Sequence, residues 1–314
     1  MKLYLKIIFF IFIFLIIFLI IFENFGFKKQ ESDFFILKKG ENILQVANNL
    51  KEQEYINSKT IFLINSLRER RFLNLKPGKY YLEEDISKNE ILDILVKGVS
   101  LKEYITIVPG YTVEDVKYLM NEKGLIFEDI DYGKDYEFLK DKPEELSLEG
   151  YLFPDTYEID INQGAEYFIR QVLDNFNYQL SDDLRKEIES QGKSVFDIVR
   201  MASILEKEVI GLEDKKIVAG ILWKRLKNYM LLEVDSTYLY LDDLGDKNSN
   251  SFYNTYRYSG LPIGPICNPS YESILAAIFP KENQYWFYLN KESGETVFSE
   301  TYEEHLINKY KYLK

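Results

Sequence analysis

The chain has 314 residues, 39 Lys and Arg against 51 Asp and Glu, and a formal net charge of −12. A field of that sign repels polyanions and excludes nucleic acid as a natural partner. A single cysteine, Cys267, rules out an internal disulfide framework or a multi-cysteine zinc site, and a single histidine, His305, argues against His-rich metal catalysis and His-based triads. Any chemistry therefore falls to carboxylates, hydroxyls, amides and backbone groups.

Residues 1–6 read as a short cytoplasmic tail. From Leu3 to Phe22 the sequence is LYLKIIFFIFIFLIIFLIIF, interrupted only by Lys6. A helix of that length rises about 30 Å, the thickness of a bilayer's hydrocarbon core. The run ends at Glu23-Asn24-Phe25-Gly26-Phe27, with no small-residue cleavage site, so residues 7–22 are expected to stay as a transmembrane anchor. Lys2, Lys6 and the terminal amine favour an inside N-terminus, against Lys28 and Lys29 beyond the span. The folded mass follows the anchor and is expected on the outer face of the cytoplasmic membrane.

Residues 23–33 read as a polar tether. Residues 34–98 form the next part, with a strand at Phe34–Leu37 and helices near Ile43–Lys51 and Lys59–Arg70. Pro77-Gly78 turns the chain into Lys79–Leu82, and a helix is expected at Lys88–Lys97. Strand, two helices, strand is the layout of small LysM-like glycan-binding modules; a packing domain that holds the rest above the membrane is the alternative. Residues 99–314 form the largest part, opening with a strand-like Tyr104–Val108, Pro109-Gly110 and an amphipathic helix near Val113–Lys123. Pro143 to Pro154 reads as loop, and helical periodicity dominates from Ala165 to Leu226. Shorter strands and loops follow to Phe298, then a last helix from about Tyr302. The fold class is α+β: an anchor helix, a small LysM-like α+β subdomain and a mixed α+β catalytic domain.

The helix expected at Val195–Val209 is the most informative. At about 100° per residue, Val195, Ile198, Val199, Ala202, Leu205 and Val209 share an arc roughly 120° wide. Asp197, Arg200, Lys207 and Glu208 cluster opposite. Glu206 sits inside the apolar arc, one position past Leu205 and four past Ala202. A carboxylate there either reaches a cleft, where desolvation raises its pKa and suits it to general-acid work, or is a buried group satisfied by a nearby Arg or backbone amide. Spacing leaves both open.

Three segments are dense in residues that periodicity does not explain. Glu149 to Tyr157 sets three aromatics around Gly150 and a Pro154-Asp155 turn. Tyr253-Asn254-Thr255-Tyr256 precedes Gly260-Leu261-Pro262-Ile263-Gly264-Pro265-Ile266, a loop stiffened by two prolines and opened by two glycines. Aromatic faces with Asn and Thr beside them suit a sugar groove. With 25 tyrosines in the chain, structural turns are the plainer account of each segment alone.

Taken in order, these blocks resemble the endolytic murein transglycosylases of the YceG-like (MltG) family over nearly the whole chain. Ala202-Ser203-Ile204-Leu205-Glu206-Lys207-Glu208 resembles the family's catalytic helix, whose first glutamate, here Glu206, the resemblance makes the acid/base residue. Val218-Ala219-Gly220 through Arg225-Leu226 resembles the helix that follows. Leu232-Glu233-Val234-Asp235-Ser236-Thr237 is similar to a Leu-Gln-Ser/Thr-Asp-Pro-Thr segment. Tyr253–Tyr256 and Gly260–Ile266 with Asn268-Pro269 are similar to YNTY and GLPPGPIxNP motifs. Val297-Phe298-Ser299 and Thr301–His305 also fit. Glu233 stands for the usual Gln, Ser236 for the usual Pro, Ile263 for a Pro, and Thr296 where a His often precedes Val-Phe-Ser, so that His is not needed here. An added carboxylate at Glu233 either raises the pKa of Glu206 or is simply solvated.

The resemblance implies cleavage of the β-1,4 bond between N-acetylmuramic acid and N-acetylglucosamine in nascent strands, with 1,6-anhydro ends, no metal and no organic cofactor. It implies peptidoglycan glycan strands as substrate, peptidoglycan synthases as neighbours, and Glu233, Asp235, Tyr253, Asn254, Thr255 and Tyr256 as substrate-binding candidates. A water-using muramidase, with Glu149, Glu208, Glu233 or Asp235 as its second carboxylate, and a wall-binding scaffold without activity are the alternatives.

Overall fold

The computed structural model describes residues 33–38, 40–68, 74–82, 86–98, 102–127, 130–243 and 251–313. The anchor expected at 7–22 lies outside them. Among the described residues no helix is long and apolar enough to cross a membrane. The chain divides into two compact units, Met1–Lys102 with Asp160–Gln163, and Glu103–Ile159 with Gly164–Lys314.

The first unit is built on an antiparallel pair, β1 (Asp33–Leu37) and β2 (Gly78–Leu82), in the register Phe35↔Tyr80. Period-two alternation buries Phe35, Leu37, Tyr80 and Leu82 and leaves Phe34, Ile36 and Tyr81 exposed, so one face takes the helices. Helix α1 (Ile43–Glu52) starts at a capping box between Asn42 and Gln45 and buries Val46, Ala47 and Leu50. Helix α2 (Lys59–Arg68) buries Phe62 in the same core. Helix α3 (Lys88–Lys97) begins at a second capping box, Ser87 with Glu90, and stops at Gly98, where φ is +70°. The expected strand, helix, helix, strand order is present, and α3 adds Ile91, Leu92 and Leu95 to its core.

The second unit opens with β3 (Lys102–Thr106), which pairs with β4 (Thr156–Asp160). Tyr104 bonds Glu158 and Thr106 bonds Thr156, an antiparallel order. The strand lies two residues earlier than expected because pairing with β4, in a stretch to which the sequence assigned no element, decides its bounds. Then come α4 (Val113–Glu122), α5 (Ala165–Gln179), α6 (Asp182–Ser190), α7 (Val195–Glu208), α8 (Leu212–Lys227), α9 (Asp235–Asp243) and α10 (Tyr271–Ile278). A hairpin of β5 (Phe287–Asn290) and β6 (Thr296–Ser299) follows, covered by α11 (Tyr302–Tyr312). The stretch expected to hold only short strands and loops thus contains two further helices.

Helix α7 is the centre of this unit and packs against α6, α8, α9 and α10. Its burial exceeds the apolar arc: Met201, Ser203 and Ile204 are buried with Ile198, Val199, Ala202 and Leu205. Gly150 makes one of these contacts possible. Its φ is +87°, and a Cβ there would lie 2.6 Å from Val199 Cγ1 and 2.7 Å from Pro265 Cβ. Gly150→Ala combines left-handed strain with overpacking and is expected to cost about 3 kcal/mol, read as a lower urea midpoint at unchanged slope.

Candidate active site

Helix α7 starts at a capping box, with the Ser194 N–H on Asp197 and the Asp197 N–H on the Ser194 hydroxyl. Near its other end it carries Glu206 and Glu208, two residues and about 200° apart around the axis. They consequently face different surroundings.

Glu206 is held. Its Oε2 accepts from the Ser270 N–H at 2.9 Å, the Ser273 hydroxyl at 2.6 Å, Lys215 Nζ at 3.2 Å and the Ser270 hydroxyl. Glu206 and Lys215 side chains are only 11% and 6% exposed. Burial opposes ionisation, but the serine donors and the lysine charge outweigh it, and the Glu206 pKa falls below its ordinary value. Glu206 therefore caps the N-terminus of α10 as a carboxylate and lines a cavity of about 490 Å³ with Pro109, Ile210 and Tyr271.

Glu208 is set differently. It lines a cavity of about 510 Å³ together with Arg225, Glu233, Asp235, Tyr256 and Tyr288. The Ser236 N–H donates to Oε1 at 3.2 Å and the Tyr288 hydroxyl to Oε2 at 3.3 Å. Burial is the strongest influence on this carboxyl; with the nearby Asp235 charge it prevails over the lowering effect of Ser236 and Tyr288, so the pKa is raised. A carboxyl whose proton is held more tightly than usual, at the edge of a cavity, is placed to act as a proton donor.

The hairpin and α8 fix this geometry. Asn290 Nδ2 donates to the Glu208 carbonyl at 2.6 Å, one of the orphan acceptors at the end of α7. Asn290 is itself oriented by the Thr296 hydroxyl at 3.0 Å. Arg225, buried, bonds the carbonyls of Trp286, Leu231 and Leu232 and pairs with Glu233 at 3.6 Å. Glu233 has φ +53°, a left-handed backbone in a non-glycine residue, and its N–H reaches the Thr255 carbonyl. His305 stacks on Phe287 at 5.3 Å between ring centres and is pushed toward its neutral form, first by burial and then by Lys309 and Arg225.

The six residues expected to bind substrate separate into two groups. Glu233, Asp235 and Tyr256 line the Glu208 cavity, and the Tyr256 hydroxyl bonds Asp235. Thr255 is buried, receives the Val234 N–H at 3.0 Å and meets Thr237 at 2.9 Å, so it braces the Glu233–Thr237 segment from behind. Asn254 is buried and takes the Tyr256 N–H on its side chain, shaping the turn. Tyr253 packs on Tyr240. None of these three lines the cavity, and neither does Glu206. Glu208, Tyr288, Asn290 and Arg225 do, or support it; the sequence offered Glu208 only as a candidate second carboxylate of the muramidase alternative and assigned Tyr288, Asn290 and Arg225 no site role.

Residues 35–311 match the model of the YceG-like family. The endolytic murein transglycosylase of Bacillus subtilis is 28% identical over 302 residues, covering 87% of this chain and 83% of that protein. The Streptococcus pneumoniae protein of the same description is 25% identical over 311 residues. That match covers 86% of this chain but 56% of the pneumococcal one, so the chain spans little more than half of the longer relative. Among solved structures, a YceG-like protein of Listeria monocytogenes aligns with a TM-score of 0.53 at 28% identity, covering 90% of this chain and all of that one.

Proposed function

Since the chain belongs to the YceG-like family, we propose that it is a lytic transglycosylase that cuts peptidoglycan glycan strands internally, with Glu208 as the acid and base. The observation that carries this is the raised pKa of a carboxyl fixed at the edge of a cavity wide enough for sugar rings. Glu206, the residue first expected, is held ionised by four donors and is assigned a structural part.

In this reading Glu208 gives its proton to the glycosidic oxygen as the bond to the muramyl anomeric carbon breaks and oxocarbenium character develops. The carboxylate then takes the proton of the 6-hydroxyl, whose oxygen closes on the same carbon to leave the 1,6-anhydro ring. The nucleophile is tethered to the electrophile, and proximity supplies what a second carboxylate would otherwise do. Neither a metal nor an organic cofactor enters these steps. Glu233, Asp235 and Tyr256 would meet the sugar, and Asn254, Thr255 and Tyr253 would keep their segment in place. The apolar run at 7–22 anchors the chain in the cytoplasmic membrane, with the site outside, near the synthases that extrude new strands. The first unit, LysM-like in its order of elements, binds glycan.

Asp235 supports a second reading. It faces the same cavity, and its charge helps raise the Glu208 pKa, so it is a candidate base or nucleophile for a hydrolytic muramidase. Mass spectrometry of products from uncrosslinked strands decides. Internal capture yields ends about 18 mass units lighter than hydrolysis, because no water is added. Anhydro ends are expected; predominantly reducing ends would establish the muramidase.

A further inference from the structure

Ser236 stands second in α9, where backbone N–H groups have no carbonyl of their own helix to reach. Its N–H points at Glu208 Oε1, while Oε2 meets the Tyr288 hydroxyl. The two partners differ in kind. An N–H can only donate, whereas a phenol hydroxyl donates or accepts according to its rotation. In a neutral carboxyl the bare oxygen is the better acceptor, so the fixed N–H selects Oε1 as that oxygen.

We propose that Ser236 is a positioning residue whose N–H keeps Glu208 Oε1 as the acceptor oxygen and thereby assigns the transferable proton to Oε2. Tyr288 then serves both states, accepting from Oε2 while it is protonated and donating once the proton has gone. The proposal rests on the assignment of Glu208 as acid and base. The same N–H, at the positive end of α9, stabilises the ionised form and limits how far burial raises the pKa. Other charged or titratable groups face Glu208: Asp235 of α9, Tyr288 of β5, Arg225 of α8, Glu233 and Tyr256 across the cavity, and His305 and Lys309 of α11. The Ser236 hydroxyl is buried beside the same carboxyl and also favours its ionised form, although it makes no hydrogen bond of proper geometry.

The test follows the Ser236 amide proton by NMR in the full-length protein, in detergent, through the titration of Glu208. The amide resonance is expected to move with that titration and to stop moving in Glu208→Gln. An amide that does not respond overturns the proposal. So does a response that persists in Glu208→Gln, which would belong to Asp235 or Glu233. Ser236→Pro removes the N–H at a first-turn position that tolerates proline. It is expected to move the alkaline limb of the cleavage profile upward by about one pH unit, a tenfold change in proton affinity. Ser236→Ala keeps the N–H and is expected to move it by less. Equal shifts in the two variants would credit the hydroxyl and overturn the proposal. If Ser236→Pro fails to fold, the wild-type amide titration still decides. A wild-type protein that cleaves no glycan defeats the assignment of Glu208, whereas the amide titration tests Ser236 independently of activity.

Discussion

Glu208→Gln is expected to lower glycan cleavage at least about 100-fold while folding as the wild type does, because the amide copies the neutral acid's shape but has no acidic proton. Its stability should match wild type in acid and exceed it in alkali. The raised pKa fixes that sign: the contribution of Glu208 is fully present below its unfolded value and is lost as pH rises through its folded value. Glu206→Gln should do the reverse. It leaves Lys215 buried without its anion and weakens the cap on α10, at a cost of about 3–5 kcal/mol. The depressed pKa of Glu206 means that this stabilisation exists above the unfolded value and disappears as pH falls through the folded one. Cleavage per folded molecule should survive in this variant. Thermal melts and cleavage assays on the two variants separate the roles, and an exchange of phenotypes would return the acid/base role to Glu206.

Glu149 gives the next largest effect. It is buried and accepts from the Val113 N–H and the Tyr240 hydroxyl, yet desolvation still pushes its pKa up to about 7. An unfolded glutamate ionises some 2.5 units lower, so wild-type stability should fall by about 3 kcal/mol as pH rises between the two values. Glu149→Gln keeps an acceptor for Val113 and a donor for Tyr240 and has no charge to bury. Its urea midpoint should be nearly flat over that interval and higher than wild type above it. Parallel pH dependence in both proteins would refute this account.

Much of the fold was legible wherever local chemistry decides it. The helix at Lys88–Lys97 was readable to the residue because Ser87 and Glu90 close its first turn and Gly98 ends it. Strand β4 was not, because Thr156–Asp160 follows a Pro-Asp turn and becomes a strand only by pairing with a segment some 50 residues earlier. Helix α9 was missed for a related reason: Asp235-Ser236-Thr237 falls in a stretch read as short strands and loops, and its first turn is fixed by contacts with Glu208 and Thr255. The site was half legible. The family blocks pointed to the end of α7 that carries Glu206 and Glu208, and Glu233, Asp235 and Tyr256 line one cavity with Glu208. A helical wheel, however, reports which residues share a side and not what stands opposite. It placed Glu208 on the solvated side, whereas α8, α9 and the hairpin close that side into a cavity.

Asn268 is buried and uses its whole side chain on distant backbone. Its Oδ1 takes the N–H groups of Gly150 and Leu152, and its Nδ2 reaches the Tyr111 carbonyl, links 118, 116 and 157 residues long. Closing such loops carries an entropic cost that only late contacts offset, so chains with many of them fold slowly. The consequence lies in biogenesis. A chain delivered N-terminus first holds the Glu149–Tyr157 turn and the start of α4 without their shared clasp until residue 268 has emerged. Until then α7 lacks its finished bed, so the packing around it is completed only late in synthesis.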